Sequence, residues 1–255
     1  MSTFEFLGTG AADWNIEDRC GFFRRNSSAL LNGEILFDAP DHIWDYRAKS
    51  GRAQLLDGVR LLLVTHDHPD HISVSSVRAL AAEHPITVAC DEALWRELSD
   101  IEGVRHLSLS LNEPCELMGY RITPVLANHD VVVSADQRAV HYIVTTPDQK
   151  TVFYGLDGAW LLRPTWQVML THRFDLMVFD CTCGDADDWR LFEHNTIPML
   201  RTMTAEVKRL GMLTEGGRLV ASHLARTLHA DPDTTRRILS DFGMQMAEDG
   251  LVLTL

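Results

Sequence analysis

The run His66-Asp67-His68-Pro69-Asp70-His71 puts imidazoles and a carboxylate at i, i+2, i+4 and i+5 of one short stretch. It follows Leu61-Leu62-Leu63-Val64, an apolar tetrad that reads as a buried strand, so Thr65 marks the point where the chain leaves a sheet. Functional loops of α/β proteins sit at such points. In a turn of this kind the spacing can aim His66 and His68 at one metal ion and Asp70 and His71 at a second. Nitrogen and oxygen donors without thiolate suit divalent zinc, manganese or iron, not a structural thiolate site. The competing account is a polar surface turn that is His-rich by composition, since the chain holds 12 histidines in 255 residues.

The elements that must position this run alternate along the chain. Apolar segments at Phe4 to Leu7, Ser28 to Leu31, Ile35 to Phe37, Leu61 to Val64 and Ile86 to Ala89 predict strands. So do Tyr120 to Leu126, Val140 to Thr145, Thr151 to Tyr154, Leu176 to Phe179, Arg218 to Ala221 and Leu251 to Leu255. Helical spacing appears at Ser73 to Glu83, in the segment that Asp91 can cap, and from Thr196 to Leu210 before Gly211. Asp231-Pro232 opens a last helix that ends near Gly243. Strands and helices mixed to the end predict an α/β sandwich, two sheets covered by helices, in preference to a pure β sandwich or a helix bundle.

Composition narrows what such a sandwich can bind. At 45% hydrophobic and 23% charged, 255 residues bury a sizeable core, and no Pro/Gly/Ser-rich linker or charge block divides them. One domain over residues 1–255 is expected. Met1 to Gly8 lacks the basic start and apolar stretch of a secretory signal, and no uninterrupted apolar segment could span a bilayer, so a cytoplasmic location without membrane attachment is expected. Cys20, Cys90, Cys115, Cys181 and Cys183 are odd in number and scattered, which argues for reduced thiols. A formal net charge of -13 disfavours long RNA or DNA as a partner. A small-molecule substrate is expected, and a homodimer is compatible with the sequence.

The His-x-His-x-Asp-His run after an apolar strand resembles the hallmark of the metallo-beta-lactamase superfamily. Later positions in the family's order match too: His129 in Ala127-Asn128-His129, Asp157 in Tyr154-Gly155-Leu156-Asp157-Gly158, and His223 in Val220-Ala221-Ser222-His223. The resemblance implies an αββα sandwich of two mixed sheets flanked by helices. It implies two divalent metal ions, zinc first, with manganese or iron as alternatives. By position His66, His68 and His129 would hold one ion, Asp70, His71 and His223 the other, and Asp157 would bridge them. Two cations sharing a carboxylate call for a second bridging anion, and a water there loses its proton near neutral pH and becomes the nucleophile. Taken singly, His129 also reads as a loop histidine, Asp157 as a turn former and His223 as a buried core histidine.

Phe6-Leu7-Gly8-Thr9-Gly10, Arg25-Asn26-Ser27-Ser28 and Ile35-Leu36-Phe37-Asp38 are similar to the branch that contains ribonuclease Z and the phosphoribosyl cyclic phosphate phosphodiesterase. Gly8 and Gly10 would permit a tight turn bringing backbone near the metals. Asp38 would orient a ligand histidine. Ala39-Pro40 stands where the family usually has glycine. Phe179-Asp180-Cys181 followed by Glu193-His194-Asn195-Thr196 makes His194 the candidate general acid, against a surface residue at a helix start. The cyclic phosphodiesterase also carries a structural zinc on clustered N-terminal cysteines and a later histidine. Here only Cys20 and Arg226 stand in those places, so no structural zinc is expected, and Cys181 with Cys183 reads as packing. His229 could line the pocket, Arg24 and Arg25 could meet a phosphate, and Trp14, Trp44, Trp160 and Trp189 could wall it or pack beneath it.

Three functions follow from these readings. The first is a phosphodiesterase acting on a small phosphate ester, cyclic esters included, with Asp70, Asp157 and His194 as catalytic groups. The second is hydrolysis of a lactone, thioester, carbon ester or lactam at the same centre. The third is a non-catalytic metal-binding or sensing module that keeps the fold. Ribonuclease Z activity ranks lower, because no basic or Gly/Pro-rich insertion offers an RNA-gripping arm.

Overall fold

The computed structural model describes residues 1–14, 23–129, 138–185 and 189–255. The N-terminal half supplies strands β1 (Thr3–Gly8), β2 (Ser28–Leu31), β3 (Ile35–Phe37), β4 (Leu61–Leu63), β5 (Ile86–Ala89) and β6 (Val104–Leu107). The C-terminal half supplies β7 (Cys115–Leu117), β8 (Tyr120–Leu126), β9 (Val140–Thr145), β10 (Thr151–Gly155), β11 (Phe174–Asp180), β12 (Leu213–Ser222), β13 (Gln245–Met246) and β14 (Val252–Thr254). Helices α1 (His42–Lys49), α2 (Val74–Glu83) and α3 (Glu92–Leu98) belong to the first half; α4 (Arg163–Met169), α5 (Ile197–Arg209) and α6 (Pro232–Ser240) belong to the second.

Among the described residues the strands form two seven-stranded sheets, ordered β14-β1-β2-β3-β4-β5-β6 and β13-β12-β11-β10-β9-β8-β7. The final strand thus returns to the first sheet and closes on β1 in antiparallel register, Phe4 opposite Leu253. The β2–β3 hairpin turns through Asn32 and Gly33, both at positive φ (56° and 72°), where a side chain without β-branching is needed and glycine costs least. Both sheets are mixed: β3, β4, β5 and β6 run parallel, as do β10, β11 and β12, while the hairpins are antiparallel.

Three apolar layers result. Between the sheets lie Phe4, Phe6, Phe37, Tyr142 and Tyr154, with the Phe37 and Tyr154 rings 4.6 Å apart. Outside the first sheet, Ile43, Val77, Leu80, Leu94 and Leu98 from α1 to α3 cover Leu36, Leu62 and Val88. Outside the second, Met169, Leu200, Val207 and Leu239 from α4 to α6 cover Phe153, Met177 and Phe179. This is the αββα sandwich expected from the sequence. Helix starts follow their caps: Asp91 accepts from the Leu94 amide at 2.9 Å, Asp231 from Thr234 at 3.0 Å, and Thr196 from Met199 at 3.3 Å. The apolar pattern does not announce β6, β7, β13, α1 or α4.

Chain direction decides where chemistry can occur. The carboxyl ends of β3 and β4 open on one edge of the sandwich, as do those of β10, β11 and β12, and β8 runs the same way as β10 because both are antiparallel to β9. Asp38, His66, His129, Asp157, Asp180 and His223 all lie at or just beyond these ends. Open α/β sheets bind ligands at such ends.

Candidate metal centre

Each strand hands its side chain to the centre through an abrupt exit. Asp38, Asp157 and His223 adopt positive φ (56°, 53° and 58°), a region uncommon for side chains other than Asn and Asp and one that stores strain where surrounding bonds hold it. Those bonds are present. His141 donates its Nε2–H to the Asp157 carbonyl at 3.3 Å, and Ala39 at the end of β3 donates to His71 O at 2.7 Å while its own carbonyl accepts from Ser73. His141 is buried and its pKa falls to about 4 by desolvation, so the ring is neutral.

The seven residues singled out from the sequence converge. His66, His68, His129 and Asp157 offer donor atoms that all lie within 4.8 Å of one another, and so do Asp70, His71 and His223. Asp157 stands between the groups with one oxygen turned to each. Its Oδ2 lies 3.5 Å from His66 Nε2 and 3.7 Å from His129 Nε2; its Oδ1 lies 3.0 Å from both His71 Nε2 and His223 Nε2. Asp70 Oδ2 is 3.3 Å from His223 Nε2 and 3.7 Å from His71 Nε2. His68 turns Nδ1 toward His129 Nε2 at 3.3 Å.

Two Asp–Thr pairs fix the tautomers of these rings. The Thr65 hydroxyl donates to Asp38 at 3.0 Å and accepts from His66 Nδ1–H at 3.0 Å, while His71 Nδ1–H donates to Asp38 Oδ2 at 2.8 Å. On the second sheet the Thr182 hydroxyl donates to Asp180 Oδ1 at 2.5 Å and accepts from His223 Nδ1–H at 2.7 Å, while His194 Nδ1–H donates to Asp180 Oδ2 at 2.8 Å. His129 Nδ1–H reaches the Glu193 carbonyl at 3.2 Å. With Nδ1 of His66, His71, His129 and His223 carrying the hydrogen, Nε2 of each can present a lone pair to a cation in the middle.

The consequence is an excess of acceptors. His71 Nε2 faces His223 Nε2 at 3.1 Å, and both face carboxylate oxygens. His66 Nε2 and Asp157 Oδ1 are buried with no hydrogen-bond partner. Acceptors turned on one another in a buried site are unfavourable unless positive charge lies between them. The titration behaviour says the same. Burial alone would lower the pKa of His223, but the facing Asp157 and Asp70 carboxylates lift it to about 10. Burial likewise opposes the charged form of His71, which Asp157, Asp38 and Asp70 together raise well above the usual imidazole range. Asp157, against its own burial, is held ionised by His223 and His71. His66 is pushed well below its usual range by burial and then by the charge of His71. The donor set therefore fits divalent cations, which prefer imidazole and carboxylate ligands of this kind.

His194 is not the surface residue its helix-adjacent position allows. It is buried, its backbone N–H donates to Arg190 O at 2.8 Å, and its ring lies 5.0 Å from that of His129 and stacks on His223 at 5.7 Å. Burial works against its protonated form, but Asp180, by charge and hydrogen bond, and Asp157 more than offset this, so the pKa is raised. A cleft of about 160 Å³ opens over His68, His129, His194 and His223, with Asp13 and Arg190 on its walls.

Other candidates lie elsewhere. Arg25 is engaged by Asp45 at 2.7 Å and Asp249 at 3.1 Å, and Arg24 is buried, donating to Thr9 and Ala247; neither lines the cleft. His229 donates to Cys181 O at 2.6 Å and lines a separate cavity with Trp14. Gly8 and Gly10 are needed for close packing of the chain against Asn26, Arg25 and Trp14, where a Cβ would clash, and it is the following Ala11 that reaches the cleft. Trp14 is buried on Leu224 O and Trp44 bonds Ser76, while Trp160 is half-exposed. Cys181 and Cys183 are buried. Cys20 and the Trp189 side chain lie outside the described residues. Thr65, Thr182, Asp180, His141 and Arg190 were not singled out for these roles by sequence reasoning. The one available signal was an Asp at a strand end with a Thr nearby, Asp180-Cys181-Thr182.

An αββα sandwich with a His/Asp cluster at the carboxyl ends of its strands defines the metallo-beta-lactamase fold. The chain belongs to the beta-lactamase superfamily: that family's domain matches residues 34–244, a span that includes all seven clustered residues. Solved structures agree on the fold. A diphosphatase from the PhnP family superposes with TM-score 0.73 at 19% identity, covering 99% of this chain and 96% of that one. Zinc-bound PqqB from Methylobacterium extorquens gives 0.70 at 19% identity, with 99% and 100% covered. The long form of RNase Z from yeast gives 0.66 at 12% identity, with 99% of this chain but 41% of that one covered. Among the curated proteins no sequence match is found. Among the described residues no helix is long and apolar enough to cross a membrane.

Proposed function

We propose that the chain is a dinuclear metal-dependent hydrolase of small phosphodiesters, cyclic esters included. His66, His68 and His129 would hold one ion, Asp70, His71 and His223 the other, and Asp157 both. Bound there, two divalent cations, zinc by ligand type with manganese or iron as alternatives, supply Lewis-acid polarisation of the ester and a water activated near neutral pH. The rest falls to side chains. Thr65, Asp38, Thr182 and Asp180 orient the imidazoles, and burial keeps bulk water from the cluster.

The observation that carries the proposal is the Asp180–His194 pair. Asp180 takes the Nδ1 hydrogen of His194, leaving Nε2 to carry a proton at the cleft, beside Asp157 and His223. An alkoxide expelled from a phosphodiester is a strong base and departs faster when protonated as the bond breaks. The diphosphatase that this fold resembles also acts, by its name, on a phosphoric bond.

The test is turnover of bis(p-nitrophenyl) phosphate against a lactone panel by zinc- or manganese-loaded protein, with His194→Ala alongside. Phosphodiester turnover is expected, and His194→Ala should slow esters with alkyl leaving groups by about 100-fold or more while affecting p-nitrophenolate much less. Activity confined to lactones overturns the phosphodiester reading.

A further inference from the structure

The cleft wall carries a carboxylate that the seven-residue cluster does not include. Glu193 lines the cleft directly before His194, just after the short turn Trp189–Phe192. Its backbone is pinned on both sides: its N–H donates to Arg190 O at 2.9 Å, and its carbonyl accepts His129 Nδ1–H at 3.2 Å. The side chain is placed as well, because a carboxylate oxygen of Glu193 and ring nitrogens of His129 and His194 all lie within 4.8 Å of one another. A half-buried carboxylate thus stands beside the imidazole that faces the leaving group. Among the described residues no hydrogen bond or ion pair ends on it. Asp13, also on the wall, instead accepts from the amides of Arg226 and Thr227, and Arg190, the one Lys or Arg there, has an interaction of its own. His129 turns Nε2 to Asp157 and His194 gives Nδ1–H to Asp180, so too few donors remain around Glu193 for a further metal site.

We infer that Glu193 selects the leaving group, so that the enzyme prefers phosphodiesters whose departing alcohol carries an ammonium group. The inference rests on the phosphodiesterase reading of the same cleft. A carboxylate at that place attracts a cation and repels a further anion, and both effects grow as water is excluded from the cleft. The metal ions would meet the phosphoryl oxygens, which leaves Glu193 to meet what lies beyond them on the His194 side. With only about 160 Å³ available and the small side chains of Ala11, Ala12 and Ala225 among its walls, the cleft suits a compact alkylammonium group.

A pair of probes that differ by a single atom decides it: the monomethyl ester of (trimethylammonio)propylphosphonate, and its isostere with tert-butyl in place of trimethylammonium. Each is a monoanionic diester analogue with carbon where the leaving oxygen would be. Both are titrated calorimetrically into zinc-loaded wild-type, Glu193→Gln and Glu215→Gln proteins. Wild type should bind the ammonium probe about fivefold more tightly than its carbon twin, and Glu193→Gln should bring the ratio to within about twofold. Glu215→Gln removes the same charge from an exposed position at the far end of β12 from His223, and should keep the wild-type ratio. No preference in wild type, a preference that survives in Glu193→Gln, or one lost equally in Glu215→Gln overturns the charge selection while leaving the phosphodiesterase reading in place. Loss of bound metal in Glu193→Gln would make the residue a support of the centre and overturns the selection too. Failure of zinc-loaded wild type to bind either probe overturns both readings.

Discussion

At Thr182 one hydroxyl serves two imidazoles. Its proton goes to Asp180, so its lone pairs receive the Nδ1–H of His223, and the same Asp180 takes the Nδ1–H of His194. Thr182→Val keeps the shape and removes the oxygen. His223 Nδ1–H is then a buried donor without an acceptor, a loss of about 1–3 kcal/mol, and its ring is free to turn Nε2 away from Asp70 and Asp157. Metal affinity is expected to fall about 10–100-fold, read by competition with a chromophoric chelator, with Thr182→Ser restoring most of it. An unchanged affinity in Thr182→Val would show that packing alone holds His223. The histidine run was legible because its donors are neighbours in sequence. The Asp–Thr pairs were not, since residues 38, 65 and 71 in one case and 180, 182, 194 and 223 in the other are far apart in sequence and meet only once the strands of their own sheet have paired.

Elements differ in how much they depend on their own sequence. Helix α5 repeats its apolar residues at Ile197, Leu200, Met203 and Val207, buries that face on the second sheet, and was readable for that reason. Helix α1 buries only Ile43 and Tyr46, β6 has no fully buried residue, and β7 has three residues at the end of its sheet, so none of these carries a full period. What sets their place is the neighbouring strand, a non-local cause. The same distinction predicts stability. Leu200→Ala opens a cavity beneath α5 among buried residues such as Phe179 and Leu224, and should cost about 2–5 kcal/mol in a denaturant titration of the metal-loaded protein. Metal stoichiometry below the transition should not change, because α5 touches the centre only through the turn that precedes it. A cost below about 1 kcal/mol would mean that α5 is not a structural support of the second sheet.

For the molecule as a whole, the candidate metal centre draws its residues from both sheets, at one edge of the apolar core they share. His66, His68, Asp70 and His71 come from the first sheet, His129, Asp157 and His223 from the second, and a chain with formal charge -13 concentrates three carboxylates whose pKa values are lowered, Asp70, Asp157 and Asp180, at the seam. Cations bound across it should therefore stabilise the fold as ligands of the native state, by about 4 kcal/mol at a thousandfold excess over Kd. In a domain of this size that is a rise in Tm on the order of ten degrees between chelator-treated and zinc-loaded protein. The variants divide by which group they touch. Asp157→Ala removes the oxygen donors common to both groups and should abolish nearly all of the rise and most of the bound metal. His129→Ala touches one group, so about one metal ion per chain and part of the rise should remain. Calorimetric scans paired with metal analysis check both, and full two-ion occupancy in Asp157→Ala would refute a shared carboxylate.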